Sequence, residues 1–292
     1  VRHPLIKAVT FTGSQGGGMG LYCVAQSRQE PIPVFAEMTS VNPTFLLPNA
    51  ITARAAAIGS GFVERMLVNV GQACLKPAIA IAVNGPGLDE LRSAMSASVT
   101  ATEARTMLTP GIFESYAGGL AKLRDHGARR IAQGAASNIG WRARSELYEV
   151  DDRTFLAEPK LSEEVFGPSA LLVVVPSVEQ MMQVARSFRG QLTITMHMDA
   201  ADFQLASRLL PILERRTGRI IVNAFSHPQE VSDASIHTGP FPATTDSRFT
   251  SVGMTAIDRF LRPVCYQGFP DDLLPETLRQ RNSLGLSRLV DG

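Results

Sequence analysis

The 292 residues predict an α/β fold, a mostly parallel sheet with covering helices. In the second half of the chain, apolar runs of strand length alternate with stretches of helical spacing. Runs such as Ala170-Leu171-Leu172-Val173-Val174-Val175 are apolar without interruption, as strands buried on both faces are. Near the start, a strand-like segment leads through a glycine-rich turn into an apolar-periodic stretch, a strand–turn–helix unit.

The elements follow in order. Residues 5–11 read as a buried strand, residues 12–18 (Thr-Gly-Ser-Gln-Gly-Gly-Gly) as the turn, and Met19, Leu21, Tyr22 and Val24 as the apolar stripe of the next helix. The free N–H groups and dipole at that helix start suit a phosphate, and an ordinary glycine-rich turn would look the same. Residues 33–38 form a second strand that carries Glu37, and residues 49–66 an alanine-rich helix with Asn49 as its cap. Residues 79–83 are a continuous apolar strand, residues 87–98 a helix through Leu88, Leu91 and Met95, and residues 112–123 another helix. Strands at 170–175, 192–196 and 219–222 then alternate with helices at 178–188 and 200–214. Such a sheet is expected to bind ligands beyond the carboxyl ends of its strands.

Composition removes several function classes. With 45% hydrophobic and 19% charged residues the chain is globular, and a net charge of +1 gives no electrostatic footprint for nucleic acid. The basic cluster at 124–130 reads as a solvated helix end. Cys23, Cys74 and Cys265 are odd in number and widely spaced, which fits neither a disulfide framework nor a zinc site and points to a reducing, cytoplasmic setting. The five histidines never fall at ligand-pair spacing, so no metal is expected. No apolar run reaches the length of a membrane span, and the start lacks a signal-peptide layout. The chain begins at Val1 almost directly in a strand, and the expectation is that upstream residues have been cut away.

Cys74 on its own is weak, because free cysteine often serves as a small buried hydrophobe. Four pieces nevertheless occur in one order: Phe11-Thr12-Gly13-Ser14, then Glu37, then Gly71-Gln72-Ala73-Cys74, then Glu164-Val165-Phe166-Gly167-Pro168. Their order and spacing resemble the aldehyde dehydrogenase superfamily. The stretches Gly239-Pro240-Phe241-Pro242-Ala243-Thr244-Thr245-Asp246 and 250–267 are similar to the NADP-linked branch that includes 2-oxoglutarate semialdehyde (2,5-dioxovalerate) dehydrogenases. The likeness covers nearly the whole chain but only about the last half of a family member.

The resemblance implies an aldehyde dehydrogenase-like fold in three parts. Residues 1–36 would be the remnant of the dinucleotide-binding domain, 37–259 the catalytic thiol domain, and 260–292 an oligomerisation strand, at 262–267, with the C-terminal tail. It implies that Cys74 adds to an aldehyde carbon as a thiolate, that oxidation leaves a thioester, and that Glu37 activates the water that hydrolyses it. A partly desolvated carboxylate with a raised pKa suits that work. Glu164 would bind the nicotinamide ribose, Phe166 would pack near the ring, and Gly13 and Ser14 would meet the pyrophosphate. The backbone N–H of Cys74 would supply an oxyanion donor, worth about 3 kcal/mol in a water-excluded site. Asn69 is read as supporting the loop, and Lys76 as an exposed, water-screened lysine.

The cofactor implied is NADP, with NAD as the alternative. The partners implied are a small aldehyde and, at full length, further copies of the chain. Met38-Thr39-Ser40 replaces the usual glycine-rich stretch after the base, Thr238 stands where the branch has glycine, and Ser226-His227-Pro228-Gln229 differs from the usual loop. Two other functions stay open: a non-catalytic remnant that binds a partner through its sheet edge, and an acylating dehydrogenase that passes the acyl group to coenzyme A.

Overall fold

A computed structural model of the chain describes residues 1–290. Residues from Val1 to Arg259 pack as one unit, and the described residues from Phe260 onward form a second. The first unit opens with β1 (Val9–Thr12), α1 (Gln15–Gln26) and β2 (Val34–Glu37), a parallel β–α–β pair with Val9 opposite Val34 and Thr12 opposite Glu37. Then come β3 (Thr44–Leu46), α2 (Pro48–Leu67), β4 (Ile79–Val83), α3 (Leu88–Thr100), β5 (Arg105–Thr106), α4 (Pro110–Asp125), β6 (Arg129–Gln133), β7 (Arg142–Ala143) and β8 (Glu146–Asp151). The series closes with α5 (Asp152–Ala157), β9 (Ser169–Val175), α6 (Val178–Ser187), β10 (Gln191–His197), α7 (Phe203–Glu214) and β11 (Thr217–Val222).

Seven strands form the main sheet in the order β11-β10-β3-β4-β9-β8-β6, all parallel except β6, which runs antiparallel to β8. The period of two along each strand sorts its side chains between two cores. Phe45, Ile81 and Val173 face one layer with Leu120, Phe155, Val184 and Leu209, while Leu46, Ala82 and Leu172 face the other with Phe62, Met66, Leu91 and Met95. Helices on both faces explain why the central strands read as unbroken apolar runs.

Two local expectations fail, each for a physical reason. The cap of α2 is not Asn49. Pro48 takes the first helical position after Leu47, which has no side-chain oxygen, so the Asp202 carboxylate from the far side accepts the N–H of Asn49 and of Ala50, both at 3.1 Å. In the basic cluster, Arg124 does close α4, but Arg129 and Arg130 begin β6, where Arg129 reaches Glu149 across the ladder at 3.0 Å. Among the described residues the second unit carries short 3₁₀ turns such as Asp271–Leu273 and Glu276–Leu278.

His197 closes β10 at 3% exposure, with neither ring nitrogen hydrogen-bonded and its ring 4.7 Å from that of Phe225. Burial pushes its pKa down to about 4, and the nearby Arg54 charge adds to this. The unfolded chain therefore takes up a proton on this residue near pH 6.5, while the folded chain resists until about pH 4. Stability falls as pH drops through that window, by on the order of 3 kcal/mol for this one group. Urea unfolding at pH 7 and pH 4.5 is expected to show a markedly smaller loss in His197→Phe than in the parent.

Candidate active site

The site lies between the β1–β2 pair and the main sheet. Glu37 stands at the carboxyl end of β2, whereas the loop carrying Cys74 leads into the amino end of β4. The segments before β3, β9 and β10 meet it from the same side. For the main sheet, then, the expectation of a site at the carboxyl ends is wrong. The Cys74 thiol is placed by side chains that grip loop backbone rather than by strand termini.

That grip begins with Asn42, a left-handed residue at φ 46° just before β3. Its Nδ2 donates to the carbonyls of Cys74 at 2.8 Å and Lys76 at 2.9 Å, and its Oδ1 accepts from Ser40 Oγ at 2.8 Å. Gln191 Oε1 accepts from the N–H groups of Val41 and Asn42, tying this hub to β10. Upstream of Cys74, the backbone passes through three successive left-handed residues, Asn69, Val70 and Gly71. Such a conformation is costly for a β-branched residue, by roughly 1–3 kcal/mol. Asn69 does support the loop, since its carbonyl accepts from Gln72 N at 3.1 Å and Gln72 Nε2 at 3.0 Å. Gly71 is required twice over, by φ +66° and because a Cβ there would sit 2.2 Å from the Gly167 carbonyl oxygen.

Lys76 is buried, at 2% exposure, contrary to the exposed position expected for it. Its ammonium donates to the carbonyls of Val165 at 2.7 Å, Gly167 at 3.0 Å and Ser169 at 3.2 Å. Three donors on one head group match three carbonyls of a turning segment, which supplies the polar partners that burial demands. Burial lowers its pKa to about 8, opposed by the charge of Glu164. Glu164 in turn accepts from Thr39 Oγ1 at 2.8 Å, and burial pushes its carboxyl up against the bonds from Thr39 and the Ser40 backbone and the charge of Lys76. Lys76 thus fastens the loop of the thiol to the segment of Glu164 and Phe166. Phe166 is 36% exposed, and a cleft of 380 Å³ opens beside Glu164 between Gly118, Gly119, Lys122 and Lys160.

The residues of the first turn of α1 join the same region. Gly13 N–H donates to the Glu37 carbonyl at 3.1 Å, and Ser14 caps α1 by accepting from Gly17 N–H at 3.2 Å. Both are exposed.

At the centre, three side chains from distant parts of the chain converge. His237 Nε2 lies 3.7 Å from Cys74 Sγ and 3.2 Å from Glu37 Oε1, and Ser251 Oγ donates to Glu37 Oε2 at 2.6 Å. Glu37 and His237 are buried while Cys74 is open to solvent. His237 is fixed by its own N–H to Thr250 Oγ1 at 2.8 Å and by its carbonyl, which accepts from Ser251 Oγ at 3.0 Å. Burial alone would lower the His237 pKa, but its bonds to Cys74 and Glu37 outweigh this and raise it to about 9. Burial likewise pushes Glu37 up, yet the bonds from His237 and Ser251 outweigh it, and the carboxyl sits below its ordinary range. The raised pKa expected for Glu37 is therefore corrected: it is an ionised carboxylate beside an imidazolium. Arg219 on β11 stands within electrostatic reach of Cys74, its Nη2 donating to Ser226 Oγ and the His227 carbonyl, both at 3.0 Å, while its Nε is buried without a partner.

Sequence reasoning missed His237, Asn42 and Ser251. The available signal for His237 was its place in His237-Thr238-Gly239-Pro240, where Gly239 lets the chain pass so near β10 that a Cβ would lie 2.0 Å from the Gln191 carbonyl. Beyond it, the Ala243–Thr245 stretch lines the free edge of β2, with Met38 N–H on the Ala243 carbonyl at 2.8 Å and an antiparallel bridge from Glu37 to Thr244. That edge pairing carries the histidine to the carboxylate.

Known proteins resemble this chain in sequence and in fold. The alpha-ketoglutaric semialdehyde dehydrogenase 2 of Azospirillum brasilense is 49% identical over 293 residues, and the alpha-ketoglutaric semialdehyde dehydrogenase of Acinetobacter baylyi is 42% identical over 294. Each match takes in 100% of this chain and 56% of the relative, so the chain spans about half the length of these curated relatives. Among solved structures, proline utilization A from Bdellovibrio bacteriovorus superposes with a TM-score of 0.76 at 17% identity, over 92% of this chain and 28% of that one, a likeness of fold. The aldehyde dehydrogenase family model matches residues 1–232, from the first strand through the last, with Glu37 and Cys74 inside the match, and the chain belongs to that family.

Proposed function

We propose that the complete protein oxidises 2-oxoglutarate semialdehyde to the dicarboxylate with NADP as the preferred cofactor and NAD as the alternative. The observation that carries this reading is the convergence of Cys74, His237 and Glu37, since a thiol with an imidazolium at one side to favour its thiolate and an ionised carboxylate within the same cluster is the kit for making and hydrolysing a thioester. The substrate follows from the identity to the two semialdehyde dehydrogenases, and Arg219 supports it as a cation beside the thiol for the substrate's distal carboxylate.

The chain's residues fit a nicotinamide cofactor. The exposed first turn of α1 with Gly13 and Ser14 would hold the pyrophosphate, and Glu164 with Phe166, beside an open cleft, would hold the ribose and the ring. When bound, that cofactor supplies the acceptor for the hydride. His237, protonated between the two groups, donates toward the sulfur, favours its thiolate form and orients it toward the aldehyde carbon. The N–H of Cys74 donates to the developing oxyanion. Glu37 then takes a proton from the water that attacks the thioester. A base this close to the thiol favours hydrolysis over transfer to coenzyme A. Exposed Leu261, Val264, Tyr266 and Phe269 in the closing segment support a homo-oligomer, and the unpaired cysteines among the described residues suit a reducing, cytoplasmic setting. None of the helices among the described residues is long and apolar enough to cross a membrane.

The test is turnover by the full-length protein. 2-Oxoglutarate semialdehyde is expected to reduce NADP with a higher kcat/KM than an uncharged aldehyde of equal length. Arg219→Met should lower kcat/KM for the semialdehyde by about 10- to 100-fold, the worth of one charged hydrogen bond, and much less for the uncharged aldehyde. Absence of turnover with any aldehyde would overturn the reading, and equal losses on both substrates would remove Arg219 from it.

A further inference from the structure

We propose that Cys74, His237 and Glu37 form a Zn²⁺ site whose occupation reversibly silences the thiol. The metal site itself rests on geometry, and only its inhibitory consequence rests on reading Cys74 as the nucleophile. The sulfur, the Nε2 and a carboxylate oxygen all lie within 4.8 Å of one another, with Sγ to Nε2 at 3.7 Å and Nε2 to Oε1 at 3.2 Å. Zinc binds sulfur at about 2.3 Å and nitrogen or oxygen at about 2.0–2.2 Å in a tetrahedral shell, which places neighbouring ligand atoms roughly 3.3–3.7 Å apart. Two of the three spacings are thus already near what a tetrahedral ion imposes, and the sulfur and the carboxylate oxygen lie within 4.8 Å.

The same geometry shows why a cation suits the position. Nε2 carries at most one proton, yet it faces two acceptors, the Cys74 sulfur and the Glu37 oxygen. A single metal ion in place of that proton meets all three lone pairs at once. Thiolate, carboxylate and neutral imidazole sum to two negative charges, which Zn²⁺ neutralises, and the thiolate–imidazole pair selects zinc over magnesium or calcium. Outer partners are in place too: Ser251 holds the second carboxylate oxygen at 2.6 Å and Thr250 and Ser251 fix the histidine backbone. Cys74 faces solvent, so the ion has an entry path and a fourth position for water. Binding displaces the Nε2 proton, and the thiol proton where the sulfur still holds it, into solvent, forms bonds from zinc to sulfur, nitrogen and carboxylate oxygen, and leaves no oxidation state changed.

The experiment uses chelator-treated full-length protein and Co²⁺ as the probe. Co²⁺ is expected to give a near-ultraviolet thiolate-to-cobalt band with intense four-coordinate visible bands, both displaced by Zn²⁺. Cys74→Ser should lose the thiolate band, and His237→Ala should weaken metal binding by more than roughly 100-fold, because loss of even an outer partner costs 10- to 100-fold. Zn²⁺ should also slow iodoacetamide labelling of Cys74 in the unsubstituted protein, with exposed Cys23 and Cys265 labelling at unchanged rates as internal controls. This second measurement needs no variant to fold. A missing cobalt band, a band retained in His237→Ala, or Cys74 labelling indifferent to Zn²⁺ would overturn the site. Because no substrate enters these readouts, a protein that binds the metal yet oxidises no aldehyde would sink the proposed activity and leave the site standing.

Discussion

Cys74→Ala is expected to reduce aldehyde-dependent formation of reduced cofactor to background, a loss of at least roughly 10⁴-fold, while the fold is kept. The magnitude follows from the role: removal of a covalent nucleophile deletes the intermediate itself, and among the described residues the cluster of thiol, imidazole and carboxylate holds no second thiol to replace it. The fold is spared because Cys74 is solvent-exposed and its loop is held through carbonyls, by Asn42 on Cys74 and Lys76, and not through the sulfur. A surface change of this size shifts stability by no more than about 0.5 kcal/mol. Steady-state turnover together with a thermal unfolding curve checks both parts. Unchanged turnover would end the assignment of Cys74, and a collapsed unfolding curve would contradict the account of how its loop is held.

Glu37→Gln should separate the two halves of the reaction. The amide keeps the size of the carboxylate and can still accept from Ser251, so the thiol environment persists, but it cannot take a proton from water. General-base loss slows a step by about 10²- to 10⁴-fold. Rapid-mixing experiments are accordingly expected to show a burst of reduced cofactor near one per site, followed by a steady state lower by that factor. Equal loss of burst and steady state would show that Glu37 acts before the thioester forms, through its 3.2 Å contact with His237, and would move the base elsewhere.

How far the sequence reached depended on how local each signal was. Ile79–Val83 and Ser169–Val175 were legible because helices cover both of their faces, so every residue had to be apolar. Thr44–Leu46 was not, being three residues long beside a proline, and Arg129–Gln133 was hidden by arginines that an edge strand can leave in solvent. Glu146–Asp151 hid behind its carboxylates. One of them, Glu146, is buried at 2% exposure and accepts from Arg144 at 2.9 Å, a pairing no periodicity announces. The ordered motifs around Gly13, Glu37, Cys74 and Glu164 were visible as a resemblance, because order and spacing survive in one dimension.

By itself, then, the sequence determined the alternation that makes a parallel sheet, the family likeness and the pair of a thiol with a distant carboxylate. The tertiary structure alone decided that His237, 163 positions from Cys74 and 200 from Glu37, stands between them. It also decided that Lys76 is buried against three carbonyls, and that the thiol sits at the amino ends of the main sheet. The reason is physical: helix and strand patterns record which face of a segment is apolar, whereas a polar cluster is set by which loops the packed sheets bring together. A histidine on such a loop carries no local mark of the partners it will meet.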